Sequence, residues 1–299
     1  MSTEGTYDIV GYLTGIVEQA SDDLSTAVEI EKAGSVPAVG GLPLEKTAEG
    51  KYKWHRIDDV SVVATDLKAS TAVSYSKQDR VGARLYQAST GNCARVLQQF
   101  TPSFVDIQGD GLFAIFSGER HAERAMTATV SLNSFGQRLA LLLKEQLGDD
   151  VPEMQESGLK VGADRGTLLV KRIGVRGEHN EPVWAGKPVN YATKCAQEAE
   201  AGRVIATSRF FNGFRDNEYV RWTCGCKNGV PAGEVVPLWR KVTVDALGEQ
   251  HQNCRELVSR WCENCGNDFA ASILAGEKDR GLNTGQLKKW REDPEPQPA

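Results

Sequence analysis

Two aspartates stand where two apolar runs end beside small residues. The runs are Val62-Val63-Ala64-Thr65-Asp66-Leu67-Lys68-Ala69-Ser70-Thr71 and Phe104-Val105-Asp106-Ile107-Gln108-Gly109-Asp110-Gly111. Carboxylates delivered from the ends of neighbouring strands are hard oxygen ligands suited to a pair of divalent cations. The common use of such a pair is to neutralise and orient a nucleoside triphosphate. Alone, either aspartate reads equally well as a turn or helix-cap residue, Asp110 in Gly109-Asp110-Gly111 above all. The residues Lys68, Ala69, Ser70 and Thr71 join the first strand to a helix, so their backbone N–H groups can cradle phosphates at a helix N-terminus. Ser70 and Thr71 also fit ordinary N-caps, a role that uses the same donors.

Two further sets of residues carry chemistry. Asn190 and Lys194 are four apart in a helical stretch and so share one face. Cys224-Gly225-Cys226 and Cys262-Glu263-Asn264-Cys265 bring two close pairs of thiols. Four thiolates so paired can complete a tetrahedral zinc site that pins the C-terminal tail to the last hairpin, and reduced, partly exposed cysteines are the competing reading.

These residues must be held by a scaffold, and the chain is long enough to build one. It has 299 residues, 40% of them hydrophobic and 25% charged, the balance of a globular protein. A net charge of -5 lacks the basic field that nucleic-acid binding needs. No run approaches the ~20 apolar residues of a membrane span, and no export signal opens the chain. With seven cysteines, an odd number, reduced thiols are expected rather than a disulfide framework. The expectation is a cytoplasmic protein with no membrane or nucleic-acid partner.

The spacing of Ile9, Leu13, Ile16, Val17, Leu24 and Val28 predicts an amphipathic helix or two over residues 5–33. A linker rich in Gly and Pro follows. From residue 51 the pattern alternates: a strand over 58–65, a helix over 71–99, two strands meeting at Gly109-Asp110, and a helix over 119–147. A strand pair at 159–163 and 167–175, a helix over 186–201 and short strands at 204–207, 219–224 and 235–242 complete it. The order βαββαβ with an αβ appendage predicts an α+β, ferredoxin-like core, a mostly antiparallel sheet with helices on one face. Three regions are expected: a helical N-terminal segment with its linker (1–50), a catalytic domain (51–243) and an irregular C-terminal extension (244–299).

Three segments in this order and spacing resemble the class III nucleotidyl cyclases. They are Asp66-Leu67-Lys68-Ala69-Ser70-Thr71, Gly109-Asp110 at a hairpin turn, and Gly186-Lys187-Pro188-Val189-Asn190-Tyr191-Ala192-Thr193-Lys194. Within that superfamily the chain looks most like the Pycsar antiphage pyrimidine cyclases. The resemblance implies conversion of UTP, or alternatively CTP, into the cyclic monophosphate with two Mn²⁺ or Mg²⁺ ions per site, and a product that acts on a separate effector. It implies metal binding by Asp66, the Leu67 carbonyl and Asp110, ribose orientation by Asn190, and stabilisation of transition-state charge at Lys194. It also implies a head-to-tail homodimer in which one protomer brings the metal ligands and the other brings Asn190 and Lys194. Three departures stand out: Lys194 replaces an Arg and loses its planar fork, Ala69 replaces a Gly, and Ser70 replaces an aromatic. Lys194 and Ala69 are the best support for the alternative of a nucleotide-binding regulatory pseudoenzyme, and the presence of both Asp66 and Asp110 argues against it. Asp106 occupies a base-selecting position and can accept from a base N–H, and Tyr75 can stack on a small base or fill the core.

Overall fold

The structure is a computed structural model, and it describes residues 8–68, 79–148, 151–174, 180–227, 230–231 and 235–281. In chain order its elements are α1 (Ile9–Ser25), β1 (Val28–Lys32), β2 (Tyr52–Lys68), α2 (Asp79–Ala88), α3 (Thr90–Gln98), β3 (Phe104–Gln108), β4 (Gly111–Phe116) and α4 (His121–Leu147). They continue with β5 (Gly158–Gly174), β6 (Asn180–Ala185), α5 (Lys187–Glu198), β7 (Val204–Thr207), α6 (Ser208–Phe211), α7 (Glu218–Arg221), β8 (Cys226–Lys227), β9 (Val230–Pro231), β10 (Trp239–Thr243), β11 (Asn253–Leu257) and α8 (Gly266–Ala275).

One sheet runs in the order β10-β11-β7-β5-β2-β4-β3, with β1 also on β2 and β6 on β5. Within it β5, β2, β4 and β3 are the four strands of the ferredoxin-like core, with the first and third in chain order, β2 and β4, at its centre and the fourth, β5, beside the first. The hairpin β3–β4 pairs antiparallel with β2, Thr65 opposite Leu112. The appendage adds α5 and then β7, which pairs parallel with β5 from Val161↔Val204 to Ala163↔Ala206.

Side-chain alternation divides the sheet into two faces. Val63, Leu112, Ala114, Phe116, Val161 and Val204 point toward α4 and α3 and share one core with Met126, Val130, Leu132, Cys93 and Leu97. The core helices lie on that face as expected, and the appended α5 covers the other. It sits directly on Gly162, where a Cβ would fall 1.9 Å from the Ala192 carbonyl oxygen. Only glycine allows so close an approach.

The chain forms two compact units, one from the described residues of 1–33, 37–56 and 169–184, the other from those of 34–36, 57–168 and 185–299. In the first, β1 runs parallel to the start of β2, Val28 opposite Tyr52 and Lys32 opposite Arg56. The Tyr52 hydroxyl donates to Asp23, while the Lys171 ammonium lies 4.3 Å from its ring centre. Helix α1 buries none of its residues. All residues with a proposed chemical role that the structure describes belong to the second unit.

Four expectations need correction. Residues 28–32 form a strand rather than a continued helix. The expected strand at 219–224 opens as helix α7, because the Asn217 carboxamide accepts from the amides of Tyr219 and Val220 and caps it. The expected pair 159–163 and 167–175 is one continuous strand, β5. Its polar centre looks like a turn in sequence, but buried Asp164 is satisfied by Thr207 and Arg209, and Arg165 by Asp59. Finally, the boundary expected at 243 falls inside the sheet. Strand β11 lies between β10 and β7, with buried Glu256 paired to Arg240 and Arg255 over the Phe211 ring.

Candidate active site

Strand β2 carries Asp66 on the α5 side of the sheet, two residues beyond Ala64. Ala64, Phe113 and Asp106 form one cross-strand row on that face. Continuing the β2–β4 register past Thr65↔Leu112 sets Asp66 opposite Gly111, and therefore beside Asp110. The hairpin comes this close because of its glycines. A Cβ on Gly111 would lie 2.7 Å from the Thr65 carbonyl oxygen, and Gly109 turns the chain at φ +65°. The Thr90 hydroxyl, at the start of α3, donates to the Asp110 carbonyl at 3.2 Å and fixes the turn from outside.

The next residue, Leu67, sinks its side chain among Val81, Leu85, Leu139 and Leu143 on the α4 side. That anchor leaves the Asp66 carboxylate on the opposite face, one-third exposed. The Lys160 ammonium, on β5, donates to Asp66 Oδ2 at 3.1 Å and also to the Gln197 carbonyl of α5. Lys68 is held through its carbonyl, which accepts from the Ser157 hydroxyl at 2.7 Å. Asp106 is half-buried and accepts from the Gln108 carboxamide at 2.9 Å. Ala69, Ser70, Thr71 and Tyr75 lie outside the described residues.

Helix α5 begins at Gly186, where a Cβ would meet the Thr167 carbonyl oxygen at 2.8 Å, and Pro188 occupies its first turn. Its inner face is Ala192, Cys195 and Ala196. Asn190 and Lys194 are exposed on the outer face, and Lys194 Nζ donates to the Ala246 carbonyl at 2.8 Å. The structure therefore gathers Asp66, Leu67, Asp110 and Lys160 at one strand end, and presents Asn190 and Lys194 outward.

No protein-family model matches the chain. It is 40% identical over 274 residues to a uridylate cyclase of Propioniciclava tarda, spanning 91% of this chain and 87% of that one. It is 34% identical over 294 residues to a uridylate cyclase of Micromonospora echinofusca, spanning 95% and 92%. Among solved structures, the adenylyl cyclase CyaB from P. aeruginosa shares the fold, with a TM-score of 0.53 at 14% identity over 69% of this chain and 96% of that one. The chain belongs to the uridylate cyclase family, and its fold is that of an adenylyl cyclase. It is a nucleotidyl cyclase, and no helix among the described residues is long and apolar enough to cross a membrane.

The donor set of this cyclase suits hard divalent cations: two carboxylates and a strand-end carbonyl, already compensated by an ammonium on Asp66. Lys160 is the residue that sequence reading passed over. Parity along Leu159–Ala163 could have found it, since Lys160 shares a face with Gly162, the seat of α5.

The four thiols of the expected zinc site also converge. The sulfurs of Cys224, Cys226, Cys262 and Cys265 lie within 4.8 Å of one another. Burial opposes ionisation of Cys224, but the amides of Cys226 and Cys262 bring it down to about 7. Burial and the neighbouring thiols push Cys265 up to about 12.

Proposed function

We propose that this cyclase converts UTP into 3′,5′-cyclic UMP and pyrophosphate. The 3′-hydroxyl gives up its proton to water, its oxygen forms a bond to the α-phosphorus in line, and the bond from that phosphorus to the bridging oxygen breaks. Pyrophosphate leaves with the electron pair. Two divalent cations, Mn²⁺ or Mg²⁺, would supply positive charge to the triphosphate and acidify the 3′-hydroxyl. Asp66, the Leu67 carbonyl and Asp110 hold them. Asn190 orients the ribose, and Lys194 meets charge that develops on the phosphoryl oxygens. Lys68 to Thr71 cradle the outer phosphates, and Asp106 accepts from the base.

The observation that carries this reading is the juxtaposition of Asp66 and Asp110 at adjacent strand ends, enforced by Gly111. The outward face of Asn190 and Lys194 supports a site completed by a second chain, in a head-to-tail homodimer. Preference for UTP rests on the relatives named uridylate cyclase. The product would act as a second messenger on a separate effector, in antiphage defence, as the Pycsar resemblance implies.

The test is incubation of purified protein with Mn²⁺ and each of ATP, GTP, CTP and UTP, with products identified by mass. Cyclic UMP from UTP is the expected outcome. Cyclic CMP would transfer the reading to a cytidylate cyclase, and a cyclic purine product would overturn the base assignment. Nucleotide binding with no product under any condition would make the protein a regulatory pseudoenzyme.

A further inference from the structure

Cys224 and Cys226 leave α7 on one side of a turn, and Cys262 and Cys265 precede α8 on the other. All four sulfurs meet within 4.8 Å, and Cys226 Sγ lies 3.7 Å from Cys265 Sγ. A disulfide would hold that pair at ~2.05 Å. Tetrahedral zinc with Zn–S bonds of ~2.3 Å sets its sulfurs ~3.8 Å apart. We infer that these four cysteines bind one Zn²⁺, which staples the C-terminal segment to the cyclase domain.

The backbone around the cluster is shaped to aim the sulfurs. Gly225, at φ +70°, turns the chain between Cys224 and Cys226 so that both side chains reach one point. In the other arm the Gly266 amide donates to the Cys262 carbonyl at 2.9 Å, which closes the turn through Cys265.

Four thiolates around a dication leave net negative charge, and Arg280 answers it. Its guanidinium donates to the carbonyls of Trp222 and Thr223, the residues just before Cys224, at 3.2 and 2.9 Å. Four protein ligands also leave no open coordination position, so the site is structural rather than catalytic. It packs against the α4-side core, whereas Asp66 lies on the opposite face of the sheet.

What the staple secures is visible in the same region. Helix α8 buries Phe269 and Ile273, and the chain beyond it returns to α7. There the Glu218 amide donates to the Lys278 carbonyl at 2.7 Å, and the Asn217 carboxamide to the Glu277 carbonyl at 3.1 Å. These contacts tie the tail only if the two cysteine arms stay together.

Metal analysis of the full chain, purified under reducing conditions and washed with chelator, tests this. About one zinc per chain is expected, released by a mercurial in step with modification of four thiols. Cobalt-exchanged protein should show thiolate charge-transfer and tetrahedral ligand-field bands. Cys226→Ser should lose the metal and melt at a lower temperature, while Cys93→Ala, outside the cluster, should keep it. Less than half an equivalent of zinc in folded wild-type protein with reactive thiols would overturn the inference. So would stoichiometric iron in place of zinc, or full zinc retention by Cys226→Ser.

Discussion

Asp66 does not stand bare at the end of β2. The Lys160 ammonium holds its carboxylate at 3.1 Å, so an arriving divalent cation must compete with a cation already in place. The pair is partly exposed, and such pairs contribute ~0.5–1 kcal/mol. Lys160→Met should therefore tighten Mn²⁺ binding to the nucleotide-free protein by about two- to fivefold, read by calorimetry or by the paramagnetic signal of free Mn²⁺. Unchanged or weaker binding would mean that Lys160 does not compete for Asp66. Gly111 sets the second carboxylate. With a methyl group 2.7 Å from the Thr65 carbonyl oxygen, the hairpin must move off β2. Gly111→Ala should cost ~1–3 kcal/mol of stability by denaturant melting and weaken Mn²⁺ binding, because Asp110 moves with the turn. Retention of both properties would show that the hairpin is free to shift.

At the scale of elements, much was legible because the periods are clean. Val62 to Leu67 and Leu112 to Phe116 are strands by composition, and 119–147 is a long amphipathic run, so the ferredoxin-like core and the adjacency of Asp66 and Asp110 followed. What escaped were elements whose polar residues are satisfied inside the fold. Asp164 and Arg165 look like a turn until Arg209, Thr207 and Asp59 are known, and Glu256 hides β11 until Arg240 is known. Such partners are distant in sequence, and no local period announces them. The same holds for the start of α4. His121 is buried, with Nδ1 3.1 Å from the Ser61 hydroxyl and Nε2 3.3 Å from Asp59, which also binds Arg165. Burial pulls its pKa below the ordinary histidine value, although Asp59 opposes that. The unfolded chain thus takes up a proton at a pH where the native His121 resists it. Its contribution to stability is full above about pH 6.5 and declines as the pH falls through that value toward the lower native one. Melting temperature should drop as the pH falls below about 6.5, and His121→Asn should flatten that slope. An unaltered slope in the variant would assign the drop to other groups.

For the whole molecule, the decisive feature is that Asp66 and Asp110 face one way while Asn190 and Lys194 are exposed on α5, with Lys194 resting on the Ala246 carbonyl. If two chains meet head to tail, each site takes its carboxylates from one and its Asn190 and Lys194 from the other. Asp66→Ala and Lys194→Ala should each be inactive as pure species. Mixed in equal amounts and allowed to exchange, half the dimers pair one variant with the other. Each such dimer has one site carrying both substitutions and one carrying neither. Recovered activity should therefore reach about a quarter of wild type, and cyclic nucleotide formed per chain is the measure. A site built within one chain gives a different result: every site keeps its own lesion, and mixing restores nothing. With exchange verified by two affinity tags, that outcome would return Asn190 and Lys194 to a solvated helix face and leave Asp66 and Asp110 without the partner's half of the site.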